Sequence, residues 1–455
     1  MPVCPIDTGR YGSPEMRRVF EEENRLQMML NVEAALAEAL AEAGEIPLEA
    51  ASTIRSRAFS KIVTVEKVKE RERVTRHDIA AMVEVLSEEC GKYGEYVHWG
   101  VTSNDITDTA LALQLKDALN IIRERLASLI ETLCKKSEEY AELVMPGRTH
   151  GQHAVPITLG FKLAVYAAEL ARSYERMLQL SKRVLVGKIS GAVGTMAALG
   201  SRALLIEEKT MLRLGLEPVE IATQVVSRDR LAELACWAAL LGSSLDRLAV
   251  EIRSLQRTEI MEVAEGFGEE QRGSSTMPQK QNPVDSEKVS GLAKVLRGLV
   301  VPALENIPLW HERDLSNSSS ERFSIPLSII ILDEMLMTMQ NVLMNLRVYP
   351  ESMVRNLGLT KGRIMSEAVM MKLARKGFGR KKAYELVRRL SRKALIENRS
   401  LLEVLEESSE VATYIDHEEL KETFEPKNYL GKNRELIARA VSYAKSKLKT
   451  SNQVC

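Results

Sequence analysis

Residues 273 to 283, Gly-Ser-Ser-Thr-Met-Pro-Gln-Lys-Gln-Asn-Pro, gather in one short stretch the groups that proton transfer beside an anion requires. Gly273, Ser274, Ser275 and Thr276 can bring backbone N–H and hydroxyl groups close to a ligand, and Lys280 adds a mobile positive charge. Asn282 followed by Pro283 predicts an N-cap and the first position of a helix, whose positive dipole end would face the loop. A carboxylate or a developing negative charge suits such a place. An ordinary helix connection can have the same composition, so the stretch alone does not decide between the two readings.

Two further polar islands interrupt helical patterns. His98-Trp99-Gly100-Val101-Thr102-Ser103-Asn104 offers side-chain donors directly ahead of a helix, which reads as a cap, an anion site, or both. Met145 to Pro156 holds two Pro, two Gly, His150 and His153 between long helices, an unusual composition for a structural connection. Smaller candidates are Arg10-Tyr11, able to grip a phosphate or to pack as a terminal arm, and His77 between Arg76 and Asp78 at a helix start. Gln224, Arg228 and the dense polar patch from Trp310 to Arg322 complete the set. Pooled, these groups suit proton transfer next to carboxylates, or simple anion binding, better than hydride transfer or metal hydrolysis.

The elements that must hold these groups are helices. Leu26, Met29, Leu30, Val32, Ala35, Leu36, Ala39 and Leu40 recur at helical spacing, predicting one helix from Glu15 to about Gly44. Longer patterns run from just after the His98 to Asn104 stretch to about Val144, from Leu159 to Val186, from Asp229 to about Glu265, from 284 to 305 and from Ile325 to Leu346. Shorter helices separated by Gly358, Gly362, Gly377, Gly379 and Pro426 follow Pro350 and predict a separate C-terminal domain. No strand alternation stands out, so the expected fold class is all-α. Gly187 to Gly200 lacks the spacing of a phosphate-binding P-loop.

Composition narrows the classes further. Across 455 residues, 63 Lys and Arg balance 63 Asp and Glu, so net charge points to neither nucleic acid nor membrane as partner. No apolar run is expected to span a membrane, because Asp333 and Glu334 break Ser328 to Met339. The first residues lack the features of a signal peptide, and a cytoplasmic location is the expectation. Five cysteines show no metal-ligand spacing. A disulfide involving Cys4 or Cys455 stays open, since intracellular proteins of hyperthermophiles can be disulfide-rich.

GSSTMPQKQNP resembles the signature loop of the fumarase/aspartase superfamily, and WGVTSNDITDT and GRTHGQHAVPITLG resemble its other two signature regions. The resemblance covers essentially the whole chain. Within the superfamily the chain is most similar to the adenylosuccinate lyase family. Gly9-Arg10-Tyr11 with Ser13 to Met16, Thr75 to Asp78, Thr223-Gln224 and Trp310 to Arg322 carry that finer likeness. It implies three helical domains (1–104, 105–350 and 351–455), with a central long-helix bundle that assembles into a homotetramer with shared active sites. It also implies purine biosynthesis: fumarate leaves adenylosuccinate and the succinylated aminoimidazole carboxamide ribotide (SAICAR) by β-elimination, with no metal or organic cofactor.

By the same resemblance Ser274 is the general base, His150 the general acid, Glu287 the carboxylate that orients His150, and Lys280 with Asn282 the clamp for the developing aci-carboxylate. His153 is the rival acid. Arg10, Tyr11, Arg313, Ser318 and Arg322 resemble the phosphate-holding set, and Arg76, His77 and Asp78 line the nucleotide side. Thr102, Ser103, Thr149 and Gln224 resemble succinyl or base contacts. Gln279 stands where relatives often have His or Tyr, and Lys288 where some carry a substrate-contacting arginine. Competing readings are argininosuccinate lyase, a 3-carboxymuconate cycloisomerase-like enzyme, and a non-catalytic helical scaffold, which would need neither Ser274, His150 nor Lys280.

Overall fold

The computed structural model describes residues 4–449, and helices dominate it, as the apolar spacing predicts. The chain begins with α1 (Pro14–Phe20), α2 (Glu22–Glu42), α3 (Leu48–Phe59), α4 (Val65–Thr75) and α5 (Asp78–Cys90). The long helix α6 (Ser103–Glu139) precedes two strands, β1 (Val144–Thr149) and β2 (Gln152–Thr158). Then come α7 (Leu159–Val184), α8 (Ala203–Leu214), α9 (Asp229–Leu255), α10 (Val284–Glu305) and α11 (Ser316–Met344), followed by seven shorter α-helices among the described residues.

Two differences from the sequence expectation have local causes. The single helix expected from Glu15 breaks at Glu21, whose backbone is extended (φ −61°, ψ 150°). The Val19 carbonyl there accepts the side-chain amides of Asn24 at 2.8 Å and Gln114 at 2.7 Å, so side chains replace the next helical turn. The second difference is the antiparallel hairpin β1–β2 within an otherwise helical chain. Pro146 and Pro156 deny the stretch a helix, and Gly147 sits at a bulge where a Cβ would lie 2.6 Å from the Val155 carbonyl.

Compact packing divides the chain into two units. The first comprises Met1–Leu126, Ser173–Ser243 and Gly291–Met337; the second comprises Ala127–Arg172, Ser244–Ser290 and Thr338–Cys455. In the first, Leu30, Leu36 and Leu40 of α2 pack with Ile54, Met82, Leu86 and Ile106. In the second, the C-terminal helices bury Val369, Leu373, Leu386, Leu401 and Leu405 around a core of their own.

α11 needs a correction of the membrane expectation, since by length and composition it is apolar enough to span a bilayer. Of its most apolar window, however, 67% is buried inside the protein, as in the core helix of a globular fold. Its Asp333 and Glu334 accept the backbone N–H groups of Ser13 and Gly12, each at 3.0 Å. Cys4, Cys90, Cys134 and Cys236 are free thiols, and Cys455 lies outside the described residues.

Candidate active site

His150 occupies the tip of the hairpin. Thr149 pairs with Gln152, so His150-Gly151 is a two-residue turn, with φ of +52° and +72°. Positive φ at both centres matches the right-handed twist of the flanking strands, and Gly supplies one of them without strain. Behind the tip, the Arg148 guanidinium forks onto the fully buried Glu262 carboxylate at 2.7 and 2.8 Å, and Asn356 adds a third donor at 2.8 Å. The strands are therefore anchored while His150 stands exposed, with no hydrogen bond or ion pair to another described residue. His153, half-buried on β2, is different. Burial, then the neighbouring Arg148 charge, pushes its pKa down. A neutral imidazole is a poor reservoir of the proton that a general acid must give.

The 273–283 stretch is a closed loop. The Asn282 side-chain amide donates to the Gly273 carbonyl at 2.8 Å, and a Cβ on Gly273 would lie 1.8 Å from the Lys280 carbonyl. Only glycine lets the two strands of this neck meet. Just inside the neck, Ser274 Oγ accepts the backbone N–H groups of Thr276 at 3.2 Å and Met277 at 3.1 Å. Two donors aimed at one hydroxyl oxygen favour its deprotonated form. Lys280 and Glu287 are exposed, without an ion pair among the described residues. Ser274, Lys280, Glu287 and His150 all belong to the second unit, but no hydrogen bond joins any two of them.

One expectation about this loop is overturned. Asn282 does not cap α10 with its side chain: its NH2 donates to the Gly273 carbonyl, and the first free N–H groups of the helix go to another residue. The cap is Glu265, a buried carboxylate that accepts Ser286 N–H at 2.7 Å and Asp285 N–H at 3.2 Å. The anion at this helix start is thus part of the protein, and the dipole is already answered. Burial pushes the Glu265 pKa up, against the hydrogen bonds from Ser286 and Asp285.

The remaining candidates lie in the first unit. Thr102 caps α6: its N–H donates to Asp105 at 2.8 Å, and its carbonyl accepts Asp105 N–H at 3.0 Å. Ser103 begins the helix. The Asp105 carboxylate is fully buried against Lys188, and takes Ser190 and Gly191 N–H at 2.9 Å each. Arg10 and Tyr11 directly precede the Gly12 and Ser13 amides that α11 holds, and the Arg10 guanidinium lies 5.9 Å from the Tyr11 ring. Arg76, at φ +53°, ends α4 in the left-handed region; His77 caps α5, its Nδ1 accepting Ala80 N–H at 3.2 Å. Asp78 meets Arg322 at 3.4 Å, and Gln224 accepts from Arg313 at 2.8 Å while donating to the Ala192 carbonyl. Ser318 lies in the first turn of α11. His98, at φ +61°, contacts buried Glu33 at 2.7 Å; burial opposes its charge, but the carboxylate outweighs burial and raises its pKa.

The family profile described as Lyase matches residues 9–298, and the profile for the adenylosuccinate lyase C-terminus matches 362–440. An adenylosuccinate lyase of Pyrococcus horikoshii is 54% identical over 443 residues, covering 97% of this chain and 98% of its own. The chain belongs to the adenylosuccinate lyase family. Another member, from Bacillus subtilis, is 40% identical over 435 residues, covering 96% of this chain and 99% of its own. Among solved structures, a fumarate lyase from Mesorhizobium sp. BNC1 superposes with a TM-score of 0.89 at 33% identity, covering 97% and 100% of the two chains. A 3-carboxy-cis,cis-muconate lactonizing enzyme from Pseudomonas putida gives 0.89 at 34%, covering 98% and 100%. Membership makes the chain a lyase of the fumarase/aspartase superfamily on an all-α fold. The partners of the largely buried carboxylates around the candidate site (Asp105, Asp108, Glu262, Glu265 and Glu321) escaped the sequence reading. Asp105 and Asp108 fall in the quoted WGVTSNDITDT stretch and Glu321 in the Trp310 to Arg322 patch, while Glu262 and Glu265 lie at the end of an apolar helical pattern; nothing in the spacing marks what each one pairs with.

Proposed function

We propose that the chain cleaves adenylosuccinate to AMP and fumarate, and SAICAR to the aminoimidazole carboxamide ribotide (AICAR) and fumarate. The observation that carries this is 54% identity, along nearly the whole of both chains, to a protein named adenylosuccinate lyase. Ser274 takes a proton from the succinyl Cβ, the electron pair forms the Cα–Cβ double bond, the C–N bond breaks, and His150 protonates the departing nitrogen. Two N–H donors on Ser274 Oγ support the base role, since a serine hydroxyl is otherwise a weak base. Lys280 stabilises the aci-carboxylate as charge moves onto it, Asn282 keeps the loop closed around Ser274, and Glu287 orients His150.

Arg10, Tyr11, Arg313, Ser318 and Arg322 hold the phosphate end, with Arg76, His77 and Asp78 beside it. Thr102, Ser103, Thr149 and Gln224 contact the succinyl and base portions. The chain works as a cytoplasmic homotetramer with sites shared among subunits and the three-domain division at 104/105 and 350/351. Exposed apolar residues on the long helices (Leu240, Val250, Val295, Val301 and Phe323) support association.

Fumarate release, followed by absorbance on mixing with adenylosuccinate, SAICAR or argininosuccinate, tests the assignment. Turnover of argininosuccinate in place of the other two would overturn it. Ser274→Ala and His150→Ala should each lower kcat by about two orders of magnitude or more, with secondary structure retained. Near-normal turnover in His150→Ala together with loss in His153→Ala would move the acid role to His153.

A further inference from the structure

Three segments proposed to touch substrate converge on one buried guanidinium, that of Arg228. It forks onto Asp108 of α6, with NH1 and NH2 each 2.9 Å from a carboxylate oxygen. Asp108 also accepts the N–H of Val226 at 2.9 Å and the side-chain amide of Asn104 at 3.3 Å, the residue after Ser103. Arg228 NH1 donates to the Val226 carbonyl at 2.8 Å, curling the segment that carries Gln224 around the guanidinium. Its Nε lies 3.0 Å from Glu321, whose oxygen also accepts from Asn317 at 2.9 Å. Ser318 and Arg322 directly follow Asn317 and Glu321, respectively, on α11. The side chains of Arg228, Asp108 and Glu321 are only 5%, 7% and 11% exposed.

Burying one cation with two carboxylates is a poor route to stability. Desolvation costs several kcal/mol per ion, and apolar groups of the same volume often stabilise as well or better. What the arrangement supplies is geometry: the planar fork holds Asp108 and the Val226 carbonyl at fixed distances and directions, and its Nε side sits in ion-pair contact with Glu321, a set of contacts that a lysine cannot reproduce. We propose that Arg228 is a positioning residue for substrate binding, setting the start of α6, the Gln224 segment and the start of α11 in mutual register. It touches no substrate itself. The inference rests on the assignment of Thr102, Ser103, Gln224, Ser318 and Arg322 to binding.

The test compares wild type with Arg228→Lys and, as a milder change should the first fail to fold, Glu321→Gln. Steady-state kinetics on adenylosuccinate, calorimetric binding of AMP and thermal unfolding are measured on each. In Arg228→Lys, KM for adenylosuccinate and Kd for AMP should both rise about tenfold, with kcat within about threefold of wild type. Glu321→Gln should shift both constants in the same direction by a smaller factor. A fall in melting temperature with KM and Kd unchanged would show a merely structural role and overturn the proposal, as would a loss confined to kcat. Wild-type protein that releases no fumarate from adenylosuccinate, yet whose AMP affinity weakens in Arg228→Lys, would sink the substrate assignment and leave the positioning role standing.

Discussion

Glu262→Gln should loosen the hairpin that carries His150. The native carboxylate is fully buried and takes three donors, two from the Arg148 fork and one from Asn356. Glutamine keeps the volume and one acceptor oxygen but removes the charge. The Arg148 guanidinium, its side chain 14% exposed, is then left without a counter-ion. Removing one partner of a buried pair costs about 3–5 kcal/mol, and the surviving acceptor places glutamine near the low end, about 3 kcal/mol. At about 1.4 kcal/mol per factor of ten, the opening equilibrium of the hairpin should rise about a hundredfold. Amide hydrogen exchange of peptides covering 144–158 reads this directly, with peptides covering 401–420 as the internal reference. Because His150 rides on the tip, kcat should fall at least about tenfold, more than KM changes. Replacing both charges, Arg148→Met with Glu262→Met, should return exchange to within about tenfold of wild type. Unchanged protection at 144–158 in Glu262→Gln, or equal loss of protection in both regions, would refute the anchoring argument.

Gly273→Ala should open the neck of the 273–283 loop, proposed above as catalytic, because the added methyl would lie 1.8 Å from the Lys280 carbonyl. The expected result is a large loss of kcat with little change in melting temperature, and wild-type turnover would count against the closed-loop geometry. The raised pKa of His98 beside Glu33 sets a pH dependence of stability. Its contribution should be complete below about pH 6.5, the unfolded value, and fade as pH rises through the folded value. Urea unfolding of wild type and His98→Asn across pH 5.5 to 9 should therefore show a stability difference that shrinks with rising pH. A difference that grows would reverse the assignment of the proton.

How far the site was legible depends on where each residue finds its support. The 273–283 stretch and the Met145 to Pro156 island stood out because polar, Gly/Pro-bounded residues break long helical patterns, but composition left an ordinary connection open, and the roles of Ser274, His150 and Lys280 came from the resemblance. The hairpin under His150 was less visible. Its strands are short, proline-rich and bulged at Gly147, so period-two alternation never develops. Helix starts were readable at Thr102 and His77, where the capping groups lie within three residues of the amides they accept. At α10 the same rule pointed to Asn282 and failed. The carboxylate that caps the helix comes from Glu265, 20 residues before the first amide it accepts.

The same distance effect hid the framework that holds the candidate site. Asp105 finds Lys188 83 residues on, Asp108 finds Arg228 120 residues on, and Arg148 finds Glu262 114 residues on. Helical periodicity reports only which face of one helix is apolar, so a charge on such a face reads as an interruption until its partner is in place. Each of these pairs is largely withdrawn from water, where an unmatched ion would be costly enough to disfavour the packing around it. Within its own unit each pair therefore favours one arrangement of the segments it joins: the start of α6 with the Lys188 and Gln224 segments in the first, and the hairpin with the Glu262 segment in the second. The exposed groups His150, Lys280 and Glu287 have no such partners among the described residues and do not help to hold the fold. Substitution at those three should leave stability almost untouched while removing turnover, whereas substitution at the buried pairs should disturb position first and chemistry through it.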